Sequence, residues 1–123
     1  MTRVRRVFAE KQYRYKEKEQ LSGAIESHTV DFYVAPNGTR GLALAVLPNP
    51  SQIVAEAWGF KTRDIKQEHP DVTMSIVYDS AKAKDVSRTI LDKVADVPVP
   101  SNAIEELAAI LAKAGVRPHK GRK

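Results

Sequence analysis

Residues 41–47 read GLALAVL, a run without a single polar side chain. Its length and its lack of alternation predict a β-strand buried on both faces. Pro48-Asn49-Pro50 stops it, and Pro36-Asn37-Gly38 before it makes a strong turn between strands. A strand buried on both faces needs cover on both sides, so its neighbours in the chain have to supply helices as well as partner strands.

Reading outward supplies them. Residues 29–34, TVDFYV, are β-branched and aromatic and predict a strand. Tyr13 and Tyr15 alternate with Arg14 and Lys16, predicting another strand that runs to about Leu21 before the Ser22-Gly23 turn. Val4, Val7 and Phe8 have helical spacing, which predicts a short helix over residues 3–12. On the other side, Ser51 caps a helix carrying Ile53, Val54, Ala57, Trp58 and Ile65, and Pro70 ends it. Phe60 falls off that stripe, as a partner contact would. Residues 72–78, VTMSIVY, predict a strand, and Val86, Ile90, Leu91 and Val94 an amphipathic helix. Residues 97–100, VPVP, read as a stiff extended connector. Ser101 then caps a last helix with Ile104, Leu107, Ala108 and Leu111, stopped by Gly115. The expected fold class is α/β (α+β): a central mixed four-stranded sheet flanked by helices, in the order (α)-β-β-β-α-β-α-α. One domain is expected over residues 1–116, with 117–123, RPHKGRK, as a disordered basic tail.

Charge gathers at the two ends. The whole chain carries +5, residues 1–20 carry +4, residues 101–123 carry +3, and the stretch between is −2. Basic ends recruit phosphate backbones by counterion release. That makes Arg3, Arg5, Arg6, Arg14, Lys16, Lys18, Lys120, Arg122 and Lys123 the candidate nucleic-acid-binding residues, with Tyr13 and Tyr15 placed to stack on bases. With no cysteine, a disulfide framework, a thiol nucleophile and a cysteine-ligated metal are excluded. No apolar run reaches the ~20 residues of a membrane span. MTRVRRVF at the start lacks the apolar core of a secretory signal, so a cytoplasmic protein with no membrane contact is expected. Neither glycine-rich phosphate-binding loop is present. His28, His69 and His119 are scattered, and His28 and Asp31, three apart on a strand, point to opposite faces.

The element order resembles the core of the PD-(D/E)XK nuclease superfamily, in which a helix, three antiparallel strands, a helix and a strand form the common unit. The matching stretch is 27–79, and the chain is similar to small uncharacterised nuclease-like domains of bacterial and phage proteins. The resemblance implies a restriction-endonuclease-like sheet. SHTVDFYV would be the second core strand, with Asp31 as its metal-holding acid. RGLALAVLP would be the third, where the family carries an acid, any residue, then lysine; this strand has neither acid nor lysine. An active site would need Glu56 and Lys61, on the following helix, to join Asp31 around Mg²⁺; outside that case no cofactor is expected. The leading expectation is therefore a nucleic-acid-binding domain on a catalytically degenerate nuclease-like scaffold, a binder rather than an enzyme. The second is a protein-interaction module of phage or mobile-element origin, an inhibitor or assembly subunit. The third is a metal-dependent nuclease.

Overall fold

The computed structural model describes residues 2–10, 15–34, 41–107 and 109. Its elements are α1 (Thr2–Glu10), β1 (Lys16–Ser22), β2 (Ser27–Val34), β3 (Leu42–Leu47), α2 (Gln52–Glu68), β4 (Thr73–Tyr78), α3 (Asp85–Val94) and β5 (Val97–Pro100), then a 3₁₀ helix over Ser101–Glu106. The strands form one mixed sheet in the order β1-β2-β3-β4-β5. β1–β2 and β2–β3 pair antiparallel, and β3–β4 and β4–β5 pair parallel.

The apolar strand lies at the centre, as its composition predicts. Leu42 and Leu44 of β3 pack on one face with Val4, Val7 and Phe8 of α1 and with Ile104 and Leu107. Ala43, Ala45 and Leu47 pack on the other with Trp58 and Ile65 of α2 and Leu91 of α3. At nine residues α1 is too short to be stable alone, so tertiary packing has to hold it. Phe8, Tyr15 and Phe32 supply that packing, with ring centroids 5.2–5.6 Å apart. Each such pair contributes roughly 0.5–1.5 kcal/mol beyond the area it buries.

Four expectations need correction. The sheet has five strands, because residues 97–100 form β5 rather than a connector. Pro98 and Pro100 share one side of β5, so Val97 and Val99 keep the N–H groups that can pair with β4. The segment from Ser101 is a 3₁₀ turn through Glu106, and Ser101 does not cap it; its Oγ accepts the Ser80 N–H instead. Ile53 and Val86, expected on buried stripes, are 78% and 53% exposed. Ile53 shares the solvent face of α2 with the exposed Ala57 and Phe60, while Ala55, Trp58, Thr62 and Ile65 turn inward; on α3 it is Ser87 and Leu91 that turn inward, beside Val86. The predicted helix beyond Leu107 and the basic tail lie outside the described residues, apart from residue 109.

The β1–β2 hairpin departs from plain alternation. Side chains two apart on a strand share a face, yet Val30 packs beneath α2 and α3 while Phe32 packs beneath α1. The β1 segment does the same: Tyr15, just before the strand, lies with Phe32, and Leu21 lies with Val30. Both strands therefore turn over between these positions without changing register, since Glu17 pairs Phe32 and Glu19 pairs Val30. Lys18 and Asp31 lie between these pairs, at the point where the strands turn over. Lys18 has φ +51°, the only positive φ at a non-glycine among the described residues. The left-handed region costs an L-residue roughly 1–2 kcal/mol. Lys18→Gly should therefore leave the melting temperature unchanged or raise it. Gln20→Gly, two residues along the same strand, should lower stability by about 0.5–1 kcal/mol, as thermal or urea melts would show.

Candidate functional site

The amphipathic pattern of α1 forces its cations outward. Burying Val4, Val7 and Phe8 leaves Arg3, Arg5 and Arg6 exposed on the remaining turn of the helix. Lys16 and Lys18 are exposed on β1. Two contacts lock the elements together: the Phe8–Tyr15 stack and a bidentate pair in which Arg5 Nε and Nη2 donate to Glu17 at 2.9 and 2.7 Å. The Arg5 hydrogen bond holds the Glu17 carboxyl below its usual range. Arg5 is thus neutralised, while Arg6, Lys16 and Lys18 carry no ion pair among the described residues. Arg3 donates one hydrogen bond, from Nη2 to the Ser101 carbonyl at 3.1 Å, and so joins α1 to the 3₁₀ turn. Arg14, Lys120, Arg122, Lys123 and Tyr13 lie outside the described residues. Tyr15, expected as a stacking platform, is spent inside the aromatic cluster.

A cavity of about 260 Å³ opens beside Arg3, at the C-terminal ends of β3 and β4. Val4, Val46, Val77 and Ile104 give it apolar walls; Arg3 and Asp79 bring opposite charges to it. Asp79 Oδ1 accepts the Ala81 N–H, and its carbonyl accepts those of Lys82 and Ala83, which ties down the turn after β4. Tyr78 also borders the cavity; burial, with Asp92 nearby, pushes its phenol up, so it stays neutral.

Asp31 stands next to this cavity through the backbone of Val46. Its Oδ2 accepts the Val46 N–H at 2.6 Å. The β2–β3 ladder runs from Val34↔Leu42 to Phe32↔Leu44 and goes no further, so the carboxylate takes the place of the backbone acceptor that Val30 would have offered. Glu56 accepts from the Gln52 side chain, and Lys61 Nζ lies 4.6 Å over the Trp58 ring. Each of the three residues that a nuclease site would draw on is therefore engaged within its own neighbourhood. Among the described residues no group of three or more His, Cys, Asp or Glu is placed to hold a metal ion. Mg²⁺ does not fit this donor set.

A second polar cluster escaped sequence reasoning. Asp64 of α2 is buried, and its carboxylate accepts the Ile25 N–H at 2.8 Å, the Glu26 N–H at 3.1 Å and His28 Nε2 at 2.8 Å. Phe60 packs edge-on against the His28 ring and is 37% exposed, so part of the ring stays open to solvent. A Cβ on Gly23 would collide with the Asp64 carboxylate and the Glu26 carbonyl, so this turn requires glycine. The partners are 36–39 residues apart, and nothing local in the sequence announces them. The cluster clamps the β1–β2 turn onto α2.

No protein-family model matches the chain, and no curated protein matches it. A solved structure does: the crystal structure of a protein of unknown function, AF1548, superimposes with a TM-score of 0.63 at 13% identity. The match covers 91% of this chain and 63% of that one, so this chain spans less than two thirds of the neighbour's length. At that identity the likeness is one of fold. Among the described residues no helix is long and apolar enough to cross a membrane.

Burial pushes the Asp64 carboxyl up, but its bonds to His28, Glu26 and Ile25 outweigh that and hold it below the ordinary value. A carboxyl lowered in the folded state stabilises above its unfolded pKa and loses that contribution as pH falls through the folded one. Stability should therefore fall on acidification below about pH 4. Asp64→Asn should melt earlier at pH 7 and show a flatter acid limb, a comparison made by thermal melts across pH 2–7.

Proposed function

We propose that this chain binds nucleic acid through its sugar–phosphate backbone, using the cations of α1 and β1, on a nuclease-like scaffold that lacks the acid-x-lysine strand. The observation that carries this reading is the pinned α1–β1 surface. Arg3, Arg6, Lys16 and Lys18 are exposed on two elements that the Arg5–Glu17 pair and the Phe8–Tyr15 stack hold in fixed relation. Cations in fixed relation lose less freedom on binding than the same charges on a loose segment. The apolar composition of β3 and the engagement of Asp31, Glu56 and Lys61 elsewhere favour binding over cleavage.

A protein-interaction module would use the sheet edge at residues 13–20, by strand addition, or the face of the last expected helix, most of which lies outside the described residues. That edge carries the run KEKEQ and a left-handed residue in its middle, both of which discourage a further strand. At the opposite edge, Pro98 and Pro100 have no N–H to offer. Phosphate contact uses the exposed side chains of β1 and leaves its edge alone, so it is the better fit.

Anisotropy of a fluorescently labelled oligonucleotide, titrated with the full chain across a salt series, tests the reading. Four phosphate contacts imply a log–log slope of roughly −4. Arg6→Glu combined with Lys16→Glu should weaken binding at least about tenfold and make the slope shallower by about 2. Absence of binding at low salt, or a slope the double variant leaves unchanged, would overturn it.

A further inference from the structure

We propose that the cavity at the ends of β3 and β4 receives one unpaired nucleobase of the strand whose phosphates the α1–β1 cations hold; the inference rests on that phosphate reading. The cavity's size limits the occupant. About 260 Å³ is below the roughly 300 Å³ at which sites for drug-sized ligands begin, so the space suits a single flat ring system rather than a larger ligand.

Its chemistry narrows the choice further. Val4, Val77 and Ile104, each 5% exposed or less, floor the cavity, and the half-buried Val46 offers apolar surface to a ring face. Asp79 spends one carboxylate oxygen on the Ala81 N–H, and among the described residues Oδ2 carries no hydrogen bond. A carboxylate oxygen in this position accepts from the exocyclic amine of a base, as carboxylates do from cytosine N4. Arg3 spends one N–H on the Ser101 carbonyl, and among the described residues its Nε and Nη1 carry no hydrogen bond. Those donors suit the phosphate attached to the inserted nucleotide.

Both charges are needed to make the case. A free anion gains little here, because Asp79 opposes what Arg3 attracts. A neutral apolar ligand would leave both charges without a partner. A nucleotide brings a donor edge and a phosphate together, and so satisfies the two at once. In a duplex that donor edge is already paired, so insertion requires a single strand or a base turned out of the stack.

The test uses the full chain and three labelled probes of equal length: oligo-dC, an abasic sugar–phosphate strand, and the oligo-dC duplexed with its complement. Oligo-dC should bind about tenfold or more tighter than the abasic strand, the worth of one good base contact. It should also bind more tightly than the duplex. Asp79→Asn, which keeps an oxygen for the Ala81 N–H, should remove most of the oligo-dC advantage and leave the salt slope unchanged. Equal binding of oligo-dC and the abasic strand, with a steep salt dependence for both, would overturn the base site and leave the phosphate reading standing. If neither strand binds at low salt, the phosphate reading falls and takes the base site with it. The dC and abasic comparison needs no variant, so it decides the matter even if Asp79→Asn fails to fold.

Discussion

A hairpin at the edge of a three-layer domain has to serve two cores, and one carboxylate makes that possible here. Where β1 and β2 turn over, β2 parts from β3 and stops offering it backbone acceptors. The N–H of Val46 would then be left without its ladder partner, at a cost of roughly 1–3 kcal/mol for a buried donor. Asp31 supplies the missing acceptor at 2.6 Å. With that bond in place the turned-over hairpin delivers Leu21 and Val30 to the core under α2 and α3. It delivers Tyr15 and Phe32 to the core under α1. Straight strands of the same length would put these pairs on one face and leave one core short.

The surface features follow from this arrangement. Phe32 and Tyr15 give α1 the aromatic partners it needs, and a docked α1 holds its arginines outward. The Arg5–Glu17 pair adds orientation more than stability, because exposed ion pairs are screened by solvent. Lys18 bears the left-handed backbone of the turn-over itself. It is both a cation on the proposed binding face and part of the device that shapes the hairpin, so substitutions there would report on two things together. Arg6 and Lys16 carry charge without that second role.

Much of the fold was legible because it rests on local composition. The apolar run at 41–47 gave the central strand, the β-branched run at 29–34 gave its neighbour, and the Ser51 cap is realised in its bond from the Val54 N–H. The errors share a cause. VPVP reads as a polyproline connector from its residues alone, and it becomes a strand only because both prolines fall on the side away from β4. Ile53 and Val86 fit helical stripes, but periodicity does not say which of two adjacent stripes faces the sheet: Ala55, Trp58 and Ile65 do on α2, and Ser87 and Leu91 on α3. Of the site, the cations were legible from charge and the cavity was not, since α1, β3, β4 and the 3₁₀ turn come together only in three dimensions. Asp64 was invisible for the same reason: its partners sit on the other side of two strands and a turn.

Asp31 shows how a residue flagged by resemblance is read physically. In the nuclease superfamily that the sequence resembles, a metal-holding acid depends on a second carboxylate, because one carboxylate with water does not hold Mg²⁺ firmly. Opposite Asp31 the adjacent strand offers Ala43, Ala45 and Leu47, which fill the core beneath α2 and α3. The Asp31 carboxylate instead accepts from the backbone donor that the parting strands leave without a ladder partner. Beyond that bond, β3 ends beside β4 at the cavity that Arg3 and Asp79 border. The cavity sets one positive and one negative group beside an apolar wall, and under the reading proposed above that chemistry suits recognition rather than metal-assisted cleavage.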